Sequence, residues 1–273
     1  MRLFVTGLGG YLGHAIAAVA DGSHEVFGTV RTRPAPPRTR TFALDVRDAS
    51  AVDSALDNAR PDAVIHTAYV QGGEEERSVN VDGAAAVARA AAARGIRLVH
   101  LSSDVIFTGD LGRPLREDDP PAPMTSYGAT KAEAETVVAA ADPGAVLVRT
   151  SLIYGGHEPS NHERRALDPA MTFYDDEIRC PIAAADLAAA VVELAALPDV
   201  RGPLNVAGAD AVSRLEFARL VVAAHGGDPA ALPGGPHPPG RPGDCTLDCR
   251  RARSLLRARL RGVREVLGQA ARS

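Results

Sequence analysis

Tyr127 and Lys131 stand four residues apart in SYGATKAEAE (126–135), and on a helix that spacing puts a phenol and an ammonium on one face. An ammonium held there favours the ionised phenol, so the pair predicts a tyrosine of lowered pKa, able to give or take a proton near neutral pH. Upstream, LSSDVIF (101–107) ends an apolar run in the hydroxyls of Ser102 and Ser103. A strand there would deliver them to the edge of an α/β sheet where ligands bind, although loop capping uses the same residue types. At the start of the chain, Thr6-Gly7-Leu8-Gly9-Gly10-Tyr11-Leu12-Gly13 follows an apolar run and precedes an Ala-rich stretch. Glycines at 7, 10 and 13 let backbone approach a pyrophosphate, whose charge the free amides of a helix N-terminus stabilise.

These residues need elements to hold them in place. Short apolar runs alternate with Ala-rich helical stretches, the sequence form of βαβ units around a parallel sheet. Strands are expected at Leu3 to Thr6, Glu25 to Val30, Thr41 to Leu44, Ala63 to Thr67, Leu98 to Ser102, Val146 to Thr150 and Pro203 to Val206. Helices are expected near 11 to 20, 48 to 59, 77 to 94, 127 to 141, 184 to 196 and 213 to 225. The runs around Val64 and Val99 are almost wholly apolar and predict central strands covered on both faces. RTRPAPPRTR (31–40), the proline-rich stretch 108–126 and LPGGPHPPGRPGD (232–244) specify loops. The predicted fold is α/β, a Rossmann doubly wound parallel sheet with a small C-terminal substrate-binding lobe. The dinucleotide-binding domain would span 1–152 with return segments at about 181–207, and the lobe 153–180 and 208–273.

With 273 residues, 45% hydrophobic and 23% charged, the chain has the composition of a soluble globular protein. Its formal net charge of -4 gives no reason to expect nucleic acid. No apolar stretch approaches the ~20 residues that cross a bilayer, and the start, MRLFVTG, lacks the form of a signal peptide. Cys180, Cys245 and Cys249 have no zinc or redox spacing and read as reduced thiols of a cytoplasmic protein, and no metal is expected.

Cofactor choice is made after the second strand, where an acidic residue would bind the adenosine ribose of NAD. The sequence instead reads TVRTR (29–33), so Arg31, with Arg33 beside it, can meet a 2′-phosphate. NADP is therefore expected, with NAD possible. Asp45 could contact the adenine edge, or cap the helix beginning near Asp48.

The glycine turn, the serines and YxxxK, together with PDAVIHTAYV (61–70), VNVDG (79–83), LVHLSSDVIFTG (98–109), VRTSLIYG (148–155) and RCPIAAADLAAAV (179–191), resemble the extended short-chain dehydrogenase/reductase family. The nearest resemblance is to its dTDP-4-dehydrorhamnose reductase branch. That resemblance implies that Ser103 polarises a substrate carbonyl, Tyr127 donates a proton, and Lys131 holds the nicotinamide ribose while tuning Tyr127. It implies cofactor contacts from Gly7, Gly10, Tyr11, Leu12 and Gly13 of the turn, and from Arg31, Asp45 and Val46. It also implies contacts from Thr67, Ala68, Tyr69, Asn80 and Ser102, besides Tyr127 and Lys131, with His66 lining the cleft. Asp104 would orient the active-site loop. His162, Arg164, Arg165 and Arg241 could reach substrate, or be solvated charges. The implied activity is reduction of a keto group, or oxidation of the alcohol, on a nucleotide sugar or similar polar small molecule. A nucleotide-sugar epimerase or dehydratase of the same family, and a non-catalytic NADP-binding regulatory subunit, are the alternatives. A homodimer through the helices beside Tyr127 is implied by the family alone.

Overall fold

The computed structural model describes residues 1–270. Seven parallel strands form the central sheet: β1 (Arg2–Thr6), β2 (Glu25–Val30), β3 (Arg40–Ala43), β4 (Ala63–His66), β5 (Arg97–Ser103), β6 (Val146–Thr150) and β7 (Gly202–Asn205). Their order across the sheet is β7-β6-β5-β4-β1-β2-β3. The chain thus reverses direction across the sheet between β1 and β4, which opens a crevice at the carboxyl ends of those strands.

Alternation along each strand sends side chains to two buried faces. Leu3 and Val5 of β1, Ile65 of β4, Val99 of β5 and Val148 of β6 pack with Leu12 and Ile16 of α1 (Tyr11–Ala20) and Leu187 and Val191 of α6 (Ala184–Ala195). Phe4, Val64, Leu98 and Leu147 point the other way, onto α2 (Ala49–Ala59), α3 (Ala84–Ala92) and α4 (Ser126–Ala141). The expected 77–94 helix begins instead as a π-helical stretch, Ser78–Gly83, which passes into α3. Asn80 lies within this stretch, and its side chain is engaged with two other segments, described below. Asp48, and not Asp45, caps α2, accepting the amide of Ala51.

A second, smaller core gathers Tyr154, Phe173, Val212, Phe217 and Val263. Its framework is three strand pairs: 153–154 with 182–183, 178–179 with 212–213, and 173–174 with 234–235. Helices α5 (Asn161–Ala166), α7 (Arg214–Ala224) and α9 (Val263–Ala270) cover it, and α8 (Arg250–Leu255) lies against β7. The stretch 154–181 shows no period in its sequence because its elements are two to six residues long. The three cysteines are buried in the larger core as free thiols, and burial pushes them up, Cys180 to about 11 and Cys245 and Cys249 to about 12. Among the described residues no helix is long and apolar enough to cross a membrane.

Candidate active site

The glycine turn lies at the carboxyl end of β1, inside the crevice. Gly7 has φ +71°, and a Cβ there would press on the Ala68 backbone at 3.1 Å. A Cβ on Gly13 would collide with the carbonyls of Gly7 and Leu8, so helix and turn pack backbone to backbone. α1 starts at Gly10 with no side chain capping its first turn, leaving amides there for an anion. Gly9 makes room for another segment: a Cβ on it would strike the carbonyls of Arg33 and Pro34, so the proline-rich loop after β2 lies on the turn.

At the β2 side of this crevice the predicted Arg31 is half exposed and already engaged. Its guanidinium donates to Asp45 at 3.3 Å and to Glu75 at 3.1 Å. Arg47, which sequence reading passed over, donates to the same two carboxylates at 2.6 and 2.8 Å. The bonds from Arg47 hold Asp45 down at about 2. Arg33 turns away to Glu158. Val46 is buried, and the absence of a Cβ on Gly83 makes its place.

Across the switch point, Thr6 Oγ1 accepts the amides of Thr67 and Ala68 and donates its own proton to Nδ1 of His66 at 2.7 Å, which puts the His66 proton on Nε2. Burial pushes His66 down to about 3, and its neighbour His100, stacked 5.2 Å away, well below the usual range. Asn80 exchanges both amide bonds with the Val70 backbone and donates to Thr130 Oγ1 at 3.0 Å, tying the β4 loop to α4.

β5 and α4 bring the serine and the tyrosine to one place. A Cβ on Gly128 would collide with the Val105 carbonyl, so only glycine lets the first turn of α4 sit against the segment following Ser103. Tyr127 therefore lies beside the Ser103–Val105 turn, half-buried, with its ring 5.8 Å from that of the exposed Tyr69. The expectation of a lowered phenol is corrected here: burial, then Tyr69, Asp104 and Glu76, raise Tyr127 well above its ordinary value. Lys131 does not offset this, because its buried ammonium donates to the Leu101 carbonyl at 2.5 Å and is itself pushed down to about 8 by burial. Ser103 lies at the end of β5, where its hydroxyl donates to Asp104 at 3.3 Å. Ser102 Oγ is buried without a partner.

Behind Ser103, Asp104 accepts the hydroxyl of Ser151 at 2.6 Å and faces Arg179 at 3.8 Å, and burial raises its pKa against the pull of Arg179. Arg179 is also 3.2 Å from Glu177 and donates to the Gly243 carbonyl at 2.7 Å. Glu177, 3% exposed, collects Arg241 at 2.8 Å and Arg214 at 3.9 Å as well. Burial pulls Glu177 upward, but the bond from Arg241 and the charges of Arg179 and Arg214 outweigh it and keep it below the usual carboxylate range. His162 approaches Arg214 at 3.5 Å and is pushed by burial down to about 3. Of the sequence candidates here, Arg241 and His162 thus join a buried charge cluster. Arg164 instead bonds Pro159 and Asn161 at the surface, and Arg165 is exposed. The sequence signal for Arg179 and Glu177 was slight: two opposite charges two positions apart, with Arg214, Arg241 and Gly243 37 to 64 positions further along the chain.

The two parts of the site meet at Tyr11, whose phenol donates to Glu163 and accepts the amide of Gly156 at 2.7 Å. Glu163 completes a capping box with Ser160 at the start of α5. His14 of α1 stacks on His157 with ring centroids 4.0 Å apart.

Comparison with known proteins gives the chain its family. The family model described as RmlD substrate binding domain matches residues 1–273. A curated dTDP-4-dehydrorhamnose reductase of Mycolicibacterium smegmatis is 32% identical over 289 residues, covering 98% of this chain and 84% of that protein. Among solved structures, MoeE5 in complex with UDP-glucuronic acid and NAD is similar at a TM-score of 0.80 and 26% identity, over 100% of this chain and 99% of that one. The dTDP-4-dehydrorhamnose reductase of Bacillus anthracis in complex with NADP shares the fold at a TM-score of 0.83 and 22% identity, over 98% and 97% of the two chains.

Proposed function

The chain belongs to the RmlD substrate-binding domain family, among the extended short-chain dehydrogenase/reductases, and from that premise we propose that it is an NADP(H)-dependent reductase of a keto group on a nucleotide sugar. The observation that carries the reading is the contact allowed by Gly128, which sets the first turn of α4, with Tyr127, against the segment that follows Ser103 at the carboxyl end of β5, in a chain whose glycine turn has an uncapped helix behind it. The residues fit a dinucleotide: the glycines of the Gly7–Gly13 turn let it pack closely against its own helix and the β4 loop, the uncapped start of α1 offers amides to a pyrophosphate, and Arg31, Asp45 and Val46 would border the adenosine end. Thr67, Ala68, Tyr69 and Asn80 line or hold the loop opposite.

When bound, the nicotinamide supplies hydride to the carbonyl carbon. Ser103 would donate a hydrogen bond to the carbonyl oxygen, drawing charge toward it. Tyr127 would give its phenolic proton to that oxygen as it becomes an alcohol. The raised pKa suits this direction, since the group that must donate is protonated throughout the neutral range. Lys131, charged below about pH 8, would hold the nicotinamide ribose from the helix turn after Tyr127. The part around Glu177 would receive the nucleotide sugar, with Arg214 and Arg241 as the cations nearest its anionic end. The similarity to the dTDP-4-dehydrorhamnose reductase of Mycolicibacterium smegmatis supports the substrate class; a regulatory role would require none of the Ser103, Tyr127 and Lys131 arrangement.

Titration of the purified chain with NADPH and NADH, followed by turnover of a dTDP-4-keto-6-deoxy sugar, tests the reading. Tyr127→Phe is expected to bind cofactor like the wild type and to lose about 100-fold or more in kcat. Binding of neither nucleotide would overturn the assignment, and binding without turnover of keto sugars in the wild type would turn it toward the regulatory alternative.

A further inference from the structure

We propose that Glu75 is a specificity-determining residue, which occupies the guanidinium groups a 2′-phosphate would use and so restrains this chain's preference for NADP(H) over NAD(H). The inference rests on the reading above that the glycine turn holds a dinucleotide.

Charge at the adenosine end carries the argument. Two guanidinium groups, Arg31 and Arg47, face two carboxylates, Asp45 and Glu75, and every pairing between Arg47 or Arg31 and those carboxylates is made at 3.3 Å or less. The formal sum is zero, so a 2′-phosphate, with a charge of about −2, meets no net positive field there. The third arginine of the segment, Arg33, is drawn off to Glu158.

The two carboxylates differ in how they are placed. Asp45 follows β3, accepts the backbone amide of Arg47 as well as its side chain, and so belongs to the loop that shapes the adenosine end. Glu75 arrives from the separate segment after β4 and meets Arg31 and Arg47 by its side chain alone, 46% exposed. Exposed ion pairs of this kind are weak, so the pairs can be exchanged for a phosphate; but the displaced carboxylate stays nearby and repels the dianion. An adenosine 2′-hydroxyl is neutral and needs neither arginine. Glu75 therefore disfavours one cofactor and leaves the other unaffected.

Wild type, Glu75→Gln and Glu75→Ala would be titrated by fluorescence with NADPH and NADH, and by calorimetry with adenosine 2′,5′-bisphosphate and AMP, at low and high salt. Both variants are expected to bind NADPH and the bisphosphate about five-fold more tightly, with NADH and AMP changed by less than about two-fold and the gain reduced at high salt. Equal changes in both nucleotides, no change, or weaker NADPH binding would overturn the proposal. Weaker binding would show that Glu75 arranges the arginines for the phosphate instead of competing with it. A wild type that binds neither NADPH nor NADH would remove the cofactor reading itself, a result distinct from nucleotide binding that the variants leave unchanged.

Discussion

Two clusters of arginine and carboxylate flank the same crevice, and they are built on opposite terms. Around Glu75 the charges are half exposed, belong to loops, and balance to zero. Around Glu177 the centre is buried, with Arg179 and Glu177 at 2% and 3% exposure and Arg241 alone reaching the surface, and three arginines share one carboxylate before Asp104 is reached. Water already solvates the first cluster, so its members can trade partners at little cost. The second has no such alternative, and each member depends on the rest. The comparison separates a place that can adapt to its ligand from one that must be assembled before a ligand arrives.

The contrast can be broken most directly by removing the carboxylate at the centre of the buried cluster. Glu177→Gln is expected to cost about 3–5 kcal/mol, because Arg214 would remain buried without a counter-charge and Arg179 would keep only Asp104, 3.8 Å away. Thermal unfolding would read this as a fall of about 10 °C. Retention of wild-type stability would mean that water reaches the cluster and that the two regions are alike.

A second effect comes from histidines buried in the sheet and beside the Glu177 cluster. His66 and His162 are pushed to about 3, and His100 well below its ordinary value, all mainly by burial, so each is neutral in the folded chain and protonates only on unfolding. The unfolded chain then binds more protons below about pH 6.5, and stability is expected to fall by about 1.4 kcal/mol per pH unit for each histidine as pH drops from there toward 3. Denaturant titrations between pH 7 and 5 measure the slope. Replacing His100, on the sheet, with Leu should shallow it by about one third. An unchanged slope would place the acid sensitivity elsewhere.

The smallest expected effect lies where the regions join. Tyr11→Phe removes a donor to Glu163 and the acceptor of the Gly156 amide, at about 1–2 kcal/mol, while leaving the ring against His157. Loss of that size with unaltered nucleotide affinity would show that Tyr11 fastens α1 to the 155–163 segment and acts on cofactor only through its backbone.

The same division governs what could be read from the residues alone. The sheet was legible almost strand for strand, since β2 and β6 carry local apolar runs and the turn between β1 and α1 is written in glycines. The alternation that buries Leu3 and Val5 on one face and Phe4 on the other is also local. Spacing singles out Tyr127 and Lys131, and a strand end singles out Ser103; Gly128 explains how the start of α4 reaches the turn after Ser103, although no spacing rule shows a helix start resting on a carbonyl. The phenol's pKa was misjudged because Lys131 is near in sequence while Asp104, Glu76 and Tyr69, which also raise it, arrive from other segments. Glu75, Arg47, Glu177 and Arg179 escaped notice for one reason: a charged residue in sequence shows neither its partner nor its burial, and these pairings are settled only when loops after different strands come together.

The three cysteines carry a practical consequence. Each thiol is almost closed to solvent and holds its proton up to about pH 11 or 12, whereas alkylating reagents attack the thiolate. A folded molecule is therefore inert to iodoacetamide, and every labelling event records a moment when the core beside β7 and α8 has opened. Labelling rate is thus a clock for excursions of the native chain, read by mass from residues that nature has already placed and without any added probe.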